Sequence, residues 1–85
     1  MTEIRAKFVQ SLRRNPAAIA SALARGDFPP IALLGHNMKG TGTSYGFPAI
    51  TAVGDGLEQA ARRGDVATIQ LRLEELSGCL RGMKE

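Results

Sequence analysis

Scarcity marks this 85-residue chain: one cysteine, one histidine, no tryptophan and aromatics at only 5%. A single thiol, Cys79, excludes an internal disulfide, and without Cys or His partners it excludes a zinc site as well. Cys79 falls in an apolar helical stretch and reads as a small packing residue. With so few rings, Leu, Ile, Val and Ala must fill the core. No apolar run approaches the ~20 residues that a membrane span requires, and the mixed start Met-Thr-Glu-Ile-Arg-Ala-Lys does not read as a signal peptide. The expected location is therefore cytoplasmic. A formal charge of +3 and a pI near 9.6 invite a nucleic-acid reading. Yet there is no basic run and no aromatic-interleaved platform. Arg5, Lys7, Arg25, Arg72, Arg81 and Lys84 are scattered, and only Arg13–Arg14 and Arg62–Arg63 form pairs. A mildly positive solvated surface that suits an acidic protein partner accounts for this balance.

The length suits one domain, residues 1–85, near the lower limit for a core that stands without staples. Strand formers never alternate over a useful length, whereas helical spacing recurs along the whole chain. A first segment, about 2–14, places Ile4, Phe8 and Leu12 on one stripe. Asn15-Pro16 reads as a cap and restart, followed by an apolar face of Ala18, Ile19, Ala22 and Leu23 that stops at Gly26-Asp27. Pro29-Pro30 opens the next helix, with Ile31, Leu34, Met38, Thr41 and Tyr45 facing inward. Gly46 closes it, and Phe47-Pro48 starts another that runs to about Arg63, with Ile50, Val53, Gly54, Leu57 and Ala61 inward. After Gly64, Asp65 caps a last helix from Val66 to about Gly82, buried along Ile69, Leu73, Leu76, Leu80 and Met83. Such short connections make neighbours antiparallel. The predicted fold is all-α: an up-and-down four-helix bundle, with a short N-terminal helix continuing into it or capping it.

The chain's one histidine carries the chemistry. His36 lies about 200° around the wheel from Leu34 and Met38, so it faces solvent or a partner. Lys39 and Gly40 follow it by three and four positions and share its face. An ammonium one turn away disfavours a second positive charge on the ring, so Lys39 is expected to keep the imidazole neutral and nucleophilic. The same ammonium can donate to the oxygens of a phosphoryl group that the ring accepts. Glycine inside a helix costs about 0.5–1 kcal/mol relative to alanine. Gly40, beside His36, therefore suggests clearance for a partner, while Gly42 is better explained by close helix contact or by an early end of the helix. Gly35 to Thr43 lacks the Gly-Lys-Ser/Thr order and upstream strand of a phosphate loop. Asp55 and Glu58 lie on the next helix, but nothing in the spacing aims them at His36.

His36-Asn37-Met38-Lys39-Gly40-Thr41 resembles the His-x-x-Lys-Gly-Ser signature of histidine-containing phosphotransfer (HPt) domains. The likeness extends from about Phe8 to Leu80, through Ala24-Arg25-Gly26-Asp27, Leu33-Leu34-Gly35-His36 and Leu57 to Asp65. It implies a phosphocarrier in a phosphorelay, without autonomous turnover. His36 would accept a phosphoryl group from an aspartyl phosphate on a receiver domain and pass it to another receiver. Lys39 would contact that group, and Gly40 would admit the partner. By the same analogy a hybrid sensor kinase is a further candidate partner, the chain is a monomer, and Mg2+ belongs to the receiver rather than to this chain. Two departures stand out: alanine is common in the family where Gly35 stands, and leucine where Met38 stands. The exchange at Met38 is a tolerated core swap, and Gly35 is expected only to loosen the helix a little. Ala32, Leu33 and Thr43 flank His36 on the outward side and form the expected docking edge, with Leu33 as its main apolar contact. Two alternatives remain open on these residues: a helical adaptor that binds a receiver or kinase without being phosphorylated, and a small basic nucleic-acid-binding domain.

Overall fold

The computed structural model describes residues 2–83, with side-chain environments from residue 6 onward. Four helices make up the fold: α1 (Thr2–Ala24), α2 (Phe28–Tyr45), α3 (Pro48–Arg63) and α4 (Val66–Arg81). No helix among the described residues is long and apolar enough to cross a membrane. α1 and α3 each pack on both α2 and α4, which is the square arrangement of an up-and-down bundle.

The expected cap and restart at Asn15-Pro16 is not made. α1 runs straight through Pro16 for 23 residues, so the N-terminal segment continues into the first helix of the bundle. An interior proline costs a helix about 3 kcal/mol. Val9, Leu12 and Ile19, on either side of it, are at most 2% exposed. Burial of such side chains is worth about 1.5–3 kcal/mol each, and it depends on both halves keeping one helical phase. Core burial therefore outweighs the break. Ile4 falls outside the residues whose side chains are described.

The three connections are built alike. Gly26, Gly46 and Gly64 adopt left-handed φ of 66°, 76° and 65°, a conformation in which a Cβ is strained. After each glycine the next amide reaches back five residues: Asp27 to the Ala22 carbonyl at 2.9 Å, Phe47 to Gly42 at 2.8 Å and Asp65 to Ala60 at 2.9 Å. These are Schellman closures, which satisfy carbonyls left free at helix ends. Pro29-Pro30 and Pro48 then sit in first turns, where a missing N–H removes no helical bond. At the start of α4, Asp65 accepts from the Thr68 amide at 3.1 Å and the Thr68 hydroxyl at 2.7 Å.

The core is a column of Ile19, Ile31, Met38, Ile50, Leu57, Ile69 and Leu76. Phe8 closes one end by stacking on Tyr45, with centroids 4.3 Å apart, and on Phe47 at 5.5 Å. The inward face of α2 differs from the expectation. Ile31, Gly35, Met38 and Gly42 are buried, whereas Leu34 is half-buried and Thr41 and Tyr45 are exposed. The reason is the approach of α3. A Cβ on Gly35 would lie 2.7 Å from the Glu58 nitrogen and from the Gly54 carbonyl oxygen, and one on Gly54 would meet the Lys39 nitrogen at 2.6 Å. The two backbones touch through their glycines. Gly35 is thus a packing requirement rather than a mere loosening of the helix, and Gly42, 2.5 Å from the Thr51 hydroxyl by the same measure, is another.

Candidate functional site

His36 stands on the flank of α2 next to α3, one position beyond Gly35, and its side chain is 67% exposed. The contact between glycines brings the Glu58 backbone against α2, and the Glu58 carboxylate then meets the ring. Nδ1 of His36 lies 3.2 Å from Glu58 Oε2. Glu58 is buried, with its side chain 6% exposed, and the same oxygen accepts from Arg62 Nη2 at 2.7 Å. A carboxylate only accepts, so a neutral ring bonded to it carries its proton on Nδ1 and keeps the Nε2 lone pair for chemistry. The sequence-level view that nothing aims Glu58 at His36 is therefore corrected. A helical wheel treats one helix at a time, and this bond crosses two. The available signal was a glutamate on the apolar side of α3, next to Leu57 and four residues before an arginine.

Lys39 is not a lone cation beside the imidazole. Its Nζ pairs with Asp55 Oδ1 at 3.2 Å, with both side chains 47% exposed. The charged group in contact with the ring is Glu58. Lys39 nonetheless emerges one turn from His36 on the same exposed flank, held by a surface pair of the kind worth at most ~1 kcal/mol. Such a pair is readily exchanged for a stronger anion.

Gly40 is exposed, and a Cβ built there would meet nothing within 4 Å. No packing among the described residues requires a glycine at this position, in contrast to Gly35, Gly42 and Gly54. The expected docking edge is mixed. Leu33 is 61% exposed, whereas Ala32 is half-buried and packed against the core, so Ala32 offers only part of its surface. Thr43 is exposed, but its hydroxyl donates to the Lys39 carbonyl at 3.1 Å and lies 3.3 Å from the Thr51 hydroxyl. Thr43 also lines a groove of about 470 Å³ with Lys39, Phe47, Pro48, Thr51 and Asp55. His36, Lys39 and Gly40 thus share one exposed flank, and Leu33 borders it.

The family model of the Hpt domain matches residues 3–85. The chain belongs to the Hpt domain family. Neither a curated protein nor a solved structure matches it. Hpt domains are helical bundles that carry out histidine phosphotransfer in two-component systems, where they interact with receiver domains and kinases.

Proposed function

We propose that this Hpt domain is a phosphorelay carrier in which His36 accepts a phosphoryl group from the aspartyl phosphate of a receiver domain and passes it to another receiver. The observation that carries the reading is the hydrogen bond from His36 Nδ1 to buried Glu58 on an otherwise exposed ring. It presents Nε2 as an unprotonated nucleophile on an accessible surface. In the transfer, the Nε2 lone pair forms the N–P bond while the P–O bond to the receiver's aspartate breaks, and the departing carboxylate takes that electron pair. No proton has to leave Nε2. The phosphorylated ring becomes formally cationic, and the Glu58 carboxylate at Nδ1 offsets that charge in a weakly screened setting. Lys39 exchanges Asp55 for the phosphoryl oxygens, and Gly40 leaves room for the receiver's loops. The Mg2+ in this scheme is bound by the receiver. Return transfer to a second receiver runs the same bonds in reverse.

The test is incubation with a radiolabelled, phosphorylated receiver. Label on the chain that is acid-labile, alkali-stable and lost in His36→Gln supports the carrier. Absence of label from every receiver of the host overturns it and leaves the unphosphorylated adaptor.

A further inference from the structure

We infer that Arg62, acting through Glu58, is a positioning residue that decides which nitrogen of His36 receives the phosphoryl group. The inference rests on the assignment of His36 as phosphoacceptor. One oxygen, Glu58 Oε2, accepts both Arg62 Nη2 at 2.7 Å and His36 Nδ1 at 3.2 Å. A guanidinium stays charged and can only donate. Its bond to Oε2 therefore holds that oxygen as an acceptor, and the proton shared with the imidazole must come from Nδ1. Without the guanidinium, the buried carboxylate loses its compensating charge, and burial favours a neutral carboxyl over an uncompensated anion. A neutral carboxyl is itself a donor. It would reverse the bond to Nδ1, move the ring proton to Nε2 and remove the lone pair that attacks phosphorus.

In the resting structure Lys39 Nζ lies against Asp55 Oδ1 at 3.2 Å rather than against Glu58, whose cation is Arg62. Arg62 is one turn beyond Glu58 on α3, 65% exposed, and contributes no side chain to the core. Its replacement should leave the bundle intact. Its role is separate from that of Lys39: it acts on the ring's tautomer before any phosphoryl group arrives.

The chain has one histidine, so the 15N resonances of its ring can be read without ambiguity. In the native protein the neutral ring is expected in the Nδ1–H form. Arg62→Gln should enlarge the Nε2–H population several-fold and slow the initial rate of phosphoryl transfer in step, with Arg62→Lys restoring both. Glu58→Gln, whose amide can donate or accept, should blur the preference even with Arg62 in place. An Arg62→Gln protein that keeps the native tautomer overturns the inference, and a slower transfer with that tautomer unchanged overturns it equally, since Arg62 would then act directly on the partner or the phosphoryl group. A tautomer shift in a protein that no receiver phosphorylates supports the positioning role while removing His36 as phosphoacceptor.

Discussion

Gly40 on the one hand and Gly35, Gly42 and Gly54 on the other obey opposite rules, and the difference lies in what each would touch. At Gly40 an added methyl group meets nothing, so the chain forgoes helix stability there without any internal return. Gly40→Ala is expected to stabilise the fold by about 0.5–1 kcal/mol, read as a higher denaturant midpoint at unchanged slope. Gly40→Leu should also fold, yet slow transfer from a phosphorylated receiver by at least an order of magnitude, because bulk now stands beside His36. Equal transfer rates for Gly40→Leu and the native chain would remove the steric role. The sequence motif drew His36, Lys39 and Gly40 together as candidates, and the structure places all three on one exposed flank. Glu58 was not legible, because its bond to His36 depends on the lateral registry of two helices.

At the level of elements, the α2–α3 contact and the helix ends carry separate expectations. Gly54→Ala would drive a Cβ to within 2.6 Å of the Lys39 nitrogen and 2.7 Å of the Gly35 oxygen, and backbone cannot yield as a side-chain tip does. Overpacking of this kind costs about 1–3 kcal/mol, more than alanine's helix propensity returns. Thermal melts should show a lower midpoint, and the His36 ring resonances should move as Glu58 is pushed aside. A melt at or above the native midpoint would contradict the glycine contact. At the start of α4, hydrogen bonds from the Thr68 side chain and amide, with Arg63 nearby, hold the Asp65 carboxyl below its ordinary range. A carboxyl lowered in the folded state stabilises the fold at pH values above the ordinary carboxylate range and loses that contribution as pH falls through its lowered value. Asp65→Ala should therefore melt earlier than the native chain near neutrality, and the gap should close in strong acid. A gap independent of pH would exclude the carboxylate as the cap.

For the molecule as a whole, the proposed transfer depends on a face rather than a cavity. α2 turns Ile31 and Met38 into the core and Leu33 and His36 outward, so under the proposed function one helix serves stability and recognition with different residues. Leu33→Glu exposes no new surface and should leave the melting midpoint within the ±0.5 kcal/mol usual for surface changes. It should weaken receiver docking through lost apolar contact and added negative charge next to an acidic partner. Stopped transfer assays at limiting receiver will show this as a lower rate that more receiver restores. Unchanged kinetics would take Leu33 out of the interface.

Periodicity, proline and glycine punctuation sufficed to determine four antiparallel helices, their short connections and an outward histidine, because those signals are local to a turn or a single helix. Pro16 misled for the same reason: its local cost is outweighed by burial at Val9, Leu12 and Ile19, which only the assembled bundle supplies. The inward face of α2 and the partner of His36 were decided in three dimensions. Gly54 was read as inward and Gly42 as a candidate helix contact, but Gly35 was not, because a residue without a side chain leaves little mark on a hydrophobic pattern. Their close approach brings Glu58 to the imidazole, and a bond between two helices exists only once both backbones are in place.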